Sequence, residues 1–269
     1  MNIVVLLKQV PDTTEMKIDK EKGTLIRTGV PTITNPDDLA GFEAALRIKD
    51  QQGAKVTCVT MGPPQAESML RELYAMGADE CILISDGKFG GADTWATSNT
   101  IGAALALIDY DLIIAGRQAI DGDTAQVGPQ TAEKLNLPQI TYVDEIIEIS
   151  KSKIRVKKAL ENRYEIIESD MPCLITTLAS IAKPRYMNVR KIMEAFDKEI
   201  RVIKYDDLNL DPMTIGLKGS LTKVKKTFTK EIHKNSDILT LDPKESARKI
   251  FEMLLDSNYI GKQEANNEY

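Results

Sequence analysis

Residues 112–141, LIIAGRQAIDGDTAQVGPQTAEKLNLPQIT, contain the patterns of a strand, a loop and a helix in succession. Its apolar start, residues 112–115, is typical of a buried parallel strand. A polar, glycine-bearing turn follows over residues 116–128, and a helical pattern continues over residues 129–135. Pro129 suits the first turn of that helix, where a missing N–H group has no cost. The stretch therefore predicts a strand, a loop and a helix of an α/β protein.

The turn has the composition of an anion-binding loop. The free N–H groups and the positive end of a helix favour an anion at this place. Gly122 allows close backbone approach, Thr124 offers a hydroxyl donor and Gln126 offers an amide. Asp121 and Asp123 would repel a phosphate that they faced, so we expect them to cap the helix or to reach ribose hydroxyls. The alternative is a tight strand-to-helix turn with Asp as N-cap, which is common in this fold class.

Composition excludes several classes of function. The 269 residues, 42% of them hydrophobic, suffice for one large domain or a domain with an appendage. A formal net charge of -5 gives no reason to expect a nucleic-acid partner. The single histidine, His233, excludes histidine triads and zinc sites in the core. The three cysteines have no metal-ligand spacing, and we expect them to be buried. Any chemistry must therefore come from a cofactor.

The amino-terminal segment MNIVVLLKQVP predicts the first strand rather than a targeting signal. It has no basic leader and no small-residue cleavage site. No apolar run in the chain approaches the roughly 20 residues of a membrane span. We therefore expect a cytoplasmic protein without a membrane span.

Alternating apolar runs and helical patterns predict a mostly parallel, doubly wound α/β sheet with helices on both faces. Right-handed crossovers would place the loops that contain Lys8, Met61 and Asp121 at one edge of this sheet, where they form a nucleotide-sized crevice. A polar excursion over residues 14–28, with Gly23 at its tip, is predicted as a hairpin. No G-x-G-x-x-G fingerprint follows the first strand and no P-loop is present, which argues against a standard dinucleotide fold and a P-loop nucleotidase.

The pattern changes after Thr141. Short strands are predicted as a small antiparallel addition, and residues 174–178 as a buried strand that returns to the sheet. An amphipathic helix over residues 243–255 follows an extended connector, and its apolar face packs on its own domain or docks on a partner chain. The predicted domains are residues 1–205, an α/β domain, and residues 206–269, a connector with a C-terminal helical arm.

Two segments together carry a resemblance to a known family. The run from Asp121 to Pro129 and the segment Lys183-Pro184-Arg185-Tyr186 are similar to those of beta (small) subunits of electron-transfer flavoproteins. The resemblance covers essentially the whole chain, and it departs from the family signature at Asn162 and Arg163. Further matching motifs are Lys8-Gln9-Val10-Pro11-Asp12, Asn35-Pro36, Met61-Gly62-Pro63, Ala75-Met76-Gly77-Ala78-Asp79 and Gly116-Arg117-Gln118-Ala119-Ile120-Asp121.

The resemblance implies a nucleotide-binding fold of the adenine nucleotide alpha hydrolase type. It also implies a heterodimer with an alpha subunit that holds one flavin. In ordinary members the beta subunit holds AMP in the crevice, whereas in electron-bifurcating members a second FAD occupies it. Gly122-Asp123-Thr124, Gln126-Val127-Gly128-Pro129 and Asn35-Pro36-Asp37-Asp38 resemble the bifurcating group.

In a bifurcating member, NADH gives a hydride to the beta-subunit FAD. One electron goes to ferredoxin, and the other passes through the alpha-subunit FAD to a flavin-dependent dehydrogenase of the acyl-CoA or 2-hydroxy acid type. The chain would then be the electron-transfer subunit of an NADH- and ferredoxin-linked oxidoreductase complex. Two alternatives stay open: an ordinary single-electron carrier that binds AMP, and a stress-type adenine-nucleotide module without a redox role.

For the bifurcating version, a physical argument from the donors that a pyrophosphate needs gives the residues of the cofactor site. The pyrophosphate would be held by Thr124, Gln126 and the N–H groups near Val127, within a loop that includes Asp121, Gly122, Asp123 and Ala125. Asn35 would bond to ribose or adenine, and Arg117 would be a cation near the flavin or phosphates or a surface ion-pair partner. The segments expected to line the adenosine are Lys8, Gln9, Val10 and Pro11 together with Met61, Gly62 and Pro63, and Ser220 and Thr222 are expected near the isoalloxazine.

A second surface is implied for recognition of the partner dehydrogenase. Its expected residues are Arg185, Tyr186, Val189, Ile192 and Met193. Val189 stands where the family places an apolar anchor. The alternative is a helix junction that packs internally.

Overall fold

The computed structural model describes residues 1–12, 31–223, 225, 238 and 240–260, and it divides into two compact units, residues 1–227 and 228–269. The predicted hairpin over residues 14–28 and His233 lie outside the described residues. In chain order the elements are β1 (Asn2–Leu6), β2 (Gln9–Pro11), β3 (Thr32–Thr34), α1 (Pro36–Gln52), β4 (Lys55–Met61), α2 (Glu67–Met76), β5 (Glu80–Ile84), α3 (Thr94–Leu105), β6 (Leu112–Gly116), α4 (Val127–Lys134), β7 (Gln139–Ile149), β8 (Lys153–Ala159), β9 (Tyr164–Asp170), β10 (Cys173–Thr177), α5 (Val189–Asp197), β11 (Ile200–Ile203), α6 (Gly216–Gly219) and α7 (Pro243–Asp256).

The first unit is built on a nine-stranded sheet with the order β11-β5-β4-β1-β6-β10-β7-β8-β9. The strands from β11 to β7 pair in parallel, and β8 and β9 extend the sheet as an antiparallel meander. β2 and β3 form a separate antiparallel ribbon. From β1 the chain first builds outward through β4 and β5, then crosses to β6 on the other side of β1. The gap between β1 and β6 is therefore a topological switch point, where open α/β sheets bind ligands.

Both faces of the sheet are covered by helices. On one face, Phe42 and Leu46 of α1 and Leu73 of α2 pack against the strands. On the other face, Leu105 of α3 and Ala132 of α4 do so. The central strands β1, β6 and β10 are buried on both sides, which is why their sequences are continuous apolar runs instead of alternating ones. The predicted α/β class with a mostly parallel sheet is confirmed.

Four elements differ from the prediction. Residues 9–11, expected in the loop that contains Lys8, form strand β2 of the separate ribbon. β11 was not predicted, because Arg201 and the exposed Val202 interrupt its apolar pattern; it nonetheless pairs in parallel with β5. α4 begins at Val127, two residues before the predicted start at Pro129. Part of the predicted extended connector forms short helical turns that bury Leu208 and Ile215 against the sheet.

The second unit contains α7, which forms the predicted C-terminal helix. Asp242 caps it by accepting a hydrogen bond from the N–H group of Lys244 at 2.8 Å. Its apolar residues include Ile250, Phe251 and Met253, each at least two-fifths exposed. Within the described ranges, none of the helices has both the length and the apolar content to span a membrane.

Candidate functional site

The three predicted loops meet at one edge of the sheet. Lys8 follows β1, Gly62 follows the end of β4, and residues 117–126 follow β6, and these three strands are adjacent and parallel. The N–H group of Gly62 donates to the carbonyl of Ile84 at 3.1 Å, which fixes this turn against β5. The three loops therefore lie together at the switch point, as the sequence predicted, and the nucleotide-binding crevice between them stays a prediction.

The two loop carboxylates have protein partners. The Lys8 ammonium lies 2.7 Å from Asp121 Oδ1 and 2.9 Å from Asp121 Oδ2, across the crevice. The Gln118 amide donates to Asp123 Oδ1 at 2.8 Å. The expectation that an aspartate caps α4 is wrong, because the N-cap residue is Gln126. Asp121 is thus paired with a cation, Asp123 accepts from a neutral amide, and neither carboxylate caps the start of α4.

The start of α4 has the donors of an anion site. Its N-cap side chain makes no capping hydrogen bond, and the N–H groups of Val127 and Gly128 have no partner in the described part of the chain. Gln126 Oε1 accepts from the Thr94 hydroxyl at 2.9 Å, which leaves the Gln126 amide as a donor. The Thr124 hydroxyl, on the exposed loop, also lacks a partner among the described residues. Together with the positive end of the helix, these groups suit a phosphate or pyrophosphate.

The shape of the loop supports the same interpretation. Asp123 and Ala125 have left-handed φ angles of 48° and 52°, which non-glycine residues adopt at a cost of about 1–3 kcal/mol and mainly at functional sites. A Cβ atom on Gly122 would meet open space, so the loop is accessible there. A Cβ atom on Gly128 would lie 2.7 Å from Thr176 Cγ2, so only glycine lets α4 approach β10 this closely.

Asn35 and Asp38, at the start of α1, lie beneath the crevice. Asn35 is fully buried; its amide donates to the carbonyl of Gln118 at 2.8 Å, and its Oδ1 accepts from the N–H group of Ile120 at 3.1 Å. The structure thus gives Asn35 a loop-holding role. Asp38, which the sequence analysis names only within the motif Asn35-Pro36-Asp37-Asp38, was not predicted as a site residue, since an acidic residue in a first helical turn is unremarkable by pattern. Burial raises the pKa of its carboxyl group to about 7.

The remaining predicted cofactor residues lie around the crevice with different degrees of access. Val10 is fully buried, whereas the Gln9 amide donates to the Ser68 hydroxyl at 3.3 Å. Pro11 and Met61 are half-buried, and Pro63 is exposed. Val10 can therefore contribute to a ligand only through its backbone.

Arg117 forms an ion pair. Its Nε lies 3.3 Å from Asp37 Oδ2, and its guanidinium lies 5.9 Å from the centre of the Tyr142 ring. The Arg117 N–H group donates to the carbonyl of Thr177 at 2.8 Å. The ion-pair role considered from the sequence is thus present, and the role of Arg117 as a cation near the flavin or phosphates stays a prediction.

Ser220 and Thr222 both contact Asp93, the N-cap residue of α3. The Ser220 hydroxyl accepts from the Asp93 N–H group at 2.9 Å and donates to the Gly216 carbonyl at 2.8 Å. The Thr222 N–H group and hydroxyl donate to Asp93 Oδ2 at 2.9 and 3.0 Å. Burial disfavours the charged carboxylate, but hydrogen bonds from Ala96 and Thr222 keep the pKa of Asp93 below its ordinary value. Both hydroxyls are thus engaged in anchoring this segment beside α3.

The predicted recognition segment divides into residues that hold it and residues that it exposes. The Arg185 guanidinium pairs with the buried Glu43 at 2.8 and 3.1 Å and with Asp50 at 2.8 Å, and Ile192 packs against the core. Tyr186, Val189 and Met193 are 92%, 80% and 71% exposed. We call these three residues, together with the equally exposed Phe196, the α5 apolar patch. Phe196 was missed, although its helical spacing from Met193 could have indicated it.

Metal binding has no support in the described ranges, where His, Cys, Asp and Glu side chains form no group of three that could hold an ion. Cys58, Cys81 and Cys173 are free and buried, as predicted.

Comparison with known proteins assigns the family. A model of the electron transfer flavoprotein domain matches residues 22–208. The electron transfer flavoprotein subunit beta of Clostridium acetobutylicum is 52% identical over 260 residues, which cover 97% of this chain and all of the relative. CarD, a subunit of the caffeyl-CoA reductase-Etf complex of Acetobacterium woodii, is 50% identical over 89% of this chain and 92% of its own length. The acryloyl-CoA reductase electron transfer subunit gamma of Anaerotignum propionicum is 52% identical over 85% of this chain and 88% of its own length. The chain belongs to the electron transfer flavoprotein family, among its beta subunits.

Proposed function

We propose that this chain is the beta subunit of a bifurcating electron transfer flavoprotein and that the crevice between β1 and β6 binds FAD. The observation that carries the proposal is the uncapped start of α4, with Thr124 and Gln126 beside it and both nearby carboxylates engaged elsewhere. A diphosphate needs several donors, and this arrangement offers them.

The residues present fit the adenine diphosphate part of the cofactor. The N–H groups of Val127 and Gly128 would neutralise the diphosphate, and Thr124 and Gln126 would add hydrogen bonds. The Lys8 ammonium would keep the Asp121 carboxylate neutralised beside the diphosphate. Bound FAD supplies hydride acceptance from NADH and single-electron transfer to ferredoxin and to the alpha-subunit flavin. The chain itself binds, orients and tunes the flavin.

Two relatives are named as parts of acyl-CoA reductase systems, which favours a flavin-dependent dehydrogenase as the electron-accepting partner. In this chain the α5 apolar patch is the surface that would dock on that dehydrogenase. An exposed group of large apolar side chains is typical of a protein–protein contact. The apolar face of α7 would dock on the alpha subunit.

Counting cofactors tests this proposal. The complex co-expressed with its alpha subunit should contain two FAD molecules per heterodimer, and NADH should reduce ferredoxin only while the partner dehydrogenase is supplied with its substrate. One FAD and one AMP per heterodimer would instead make the chain an ordinary single-electron carrier, since AMP fits the same helix start. Nucleotide binding without a stable flavoprotein partner would favour the non-redox module.

A further inference from the structure

The buried carboxylate of Asp38 joins the two loops that border the crevice. Its Oδ2 accepts from the N–H group of Lys8 at 2.8 Å, and its Oδ1 accepts from the N–H group of Gly116 at 3.0 Å. Lys8 follows β1 and Gly116 ends β6, so a single side chain spans the switch point. A Cβ atom on Gly116 would lie 2.0 Å from Asp38 Oδ1, which shows how closely the carboxylate approaches this backbone.

Asn35 extends the same connection. Its own N–H group donates to the Lys8 carbonyl at 2.9 Å, while its side chain holds the carbonyl of Gln118 and the N–H group of Ile120. The start of α1 therefore binds the backbone on both sides of the crevice. The side chain of Lys8 contacts Asp121. Residues 116–126 form the segment that leads from the end of β6 to the donors at the start of α4.

We propose that Asp38 is a positioning residue of the nucleotide crevice: it fixes the backbone of Lys8 and Gly116 at the separation that the adenine diphosphate requires. This inference rests on the proposed function, because it concerns the same crevice. Asp38 acts through these two loops and lies below the donors that would contact the cofactor.

The charge of Asp38 gives the inference a readout. An ionised carboxylate only accepts hydrogen bonds, which matches two facing N–H donors, whereas a protonated one carries a donor of its own. The charged groups around it are Asp37 on the same helix, whose negative charge is paired with Arg117, and Lys8, whose ammonium faces Asp121. Because the pKa of Asp38 is about 7, its protonation should loosen the two loops within an accessible range.

The experiment is a calorimetric titration of FAD into the heterodimer with its crevice emptied by gel filtration. The FAD diphosphate does not titrate near neutral pH, so a pH effect reports the protein. We expect wild-type affinity to weaken as the pH falls from about 8 to about 6, with proton release on binding. Asp38→Asn places an N–H group against one of the two donors; it should weaken FAD binding about tenfold near pH 8 and abolish the pH step.

Val56→Ala is the matched control, since Val56 is buried near the amino end of β4 and the crevice lies at the carboxyl ends of the strands. It should lower stability and leave both the affinity and the pH step as in the wild type. Equal affinities and equal pH profiles for Asp38→Asn and the wild type would overturn the inference, as would the same loss in Val56→Ala. If Asp38→Asn does not fold, a flat wild-type profile overturns it and a step near pH 7 supports it.

Failure of the proposed function would have a different signature. If the wild type binds AMP and no FAD, the bifurcating proposal fails, and the ratio of AMP affinities at about pH 8 between the wild type and Asp38→Asn decides the role of Asp38. If the wild type binds neither nucleotide, both proposals are overturned.

Discussion

At the scale of single residues, the crevice resolves a conflict that its sequence presents. Two aspartates stand in a loop proposed to bind a diphosphate, and unpaired they would oppose that ligand. Lys8 pairs with Asp121, which is 113 residues away in the chain, and Gln118 donates to Asp123, which is 5 residues away. The near partner could be guessed from the loop, but the far one depends on the pairing of β1 with β6.

The hydroxyl of Thr124 provides the first prediction. Thr124→Val should leave the fold unchanged and weaken FAD retention by about 1–2 kcal/mol, the usual loss for a hydrogen bond to a charged group. The rate of flavin release from the heterodimer, followed by fluorescence, measures the effect. Unchanged retention would contradict the assignment of Thr124 as a phosphate donor.

Thr131, on the helix α4 that follows the loop of Thr124, gives the matched control and a second prediction. It is fully buried and its hydroxyl has no hydrogen-bond partner in the described structure. Thr131→Val replaces this unsatisfied group with a methyl group of the same size, so we expect the protein to be stabilised by about 1 kcal/mol in urea unfolding. Flavin retention should not change. A destabilised variant would mean that the hydroxyl has a partner.

The third prediction concerns how the ionisation of Asp38 changes the free energy of unfolding. Its pKa is raised from 3.8 in the unfolded chain to about 7 in the folded one. The folded state therefore binds the proton more tightly between these values. The stabilising contribution is full at low pH and is lost as the pH rises from about 4 to about 7, up to roughly 4 kcal/mol.

Urea unfolding of the wild type and of Asp38→Asn across this pH window measures that contribution. The difference in unfolding free energy between the two should shift against the wild type as the pH rises. A constant difference would show that the folded carboxyl group titrates at its ordinary pKa. Ionisation of Asp38 is thus expected to lower the free energy of unfolding and, at the same time, to hold the two loops more firmly.

At the scale of elements, the sequence predicts the central sheet well and its edges poorly. β1, β6 and β10 are buried on both faces, so their composition alone identifies them. β11 lies at an edge with Arg201 and Val202 exposed, and its pattern is correspondingly weak. The predicted start of α4, Pro129, lies two residues after the observed start, Val127. The error arises because this helix has no capping side chain, so its sequence contains no signal that marks the first turn.

Helix α5 shows how one amphipathic element serves two surfaces, and it gives the fourth prediction. Ile192 and Ala195 face the core, and Val189, Met193 and Phe196 face solvent. Val189→Asp should preserve folding and flavin content, because the side chain is exposed. It should slow electron transfer to the partner dehydrogenase about tenfold or more, because a charge would have to be buried in the contact.

The control is Leu107→Asp, which places the same charge at another exposed apolar residue, just beyond α3. Steady-state reduction of the dehydrogenase by the heterodimer measures both variants. Equal rates for Val189→Asp and the wild type would remove Val189 as the anchor, and equal slowing by both variants would indicate a general charge effect.

At the scale of the whole molecule, topology determines where the site lies and side chains determine what it binds. The parallel direction of the strands could be anticipated from the alternation of strands and helices, so the placement of three loops at one edge followed from the sequence, whereas the strand order did not. The role of Asp38 could not, because it depends on two backbone N–H groups brought together by strands about 110 residues apart in the chain.

Helix α7 carries the last prediction, on assembly. Phe251 lies among the apolar residues of a helix that is described as part of a separate unit and is 41% exposed there. If this face docks on the alpha subunit, Phe251→Asp should weaken the heterodimer by about 2–3 kcal/mol, since an aromatic contact is lost and a charge is introduced. Glu252→Gln, the next residue, should leave association unchanged. Sedimentation of the two purified subunits measures the dissociation constant, and an unchanged constant for Phe251→Asp would place the alpha-subunit contact on another surface of the chain.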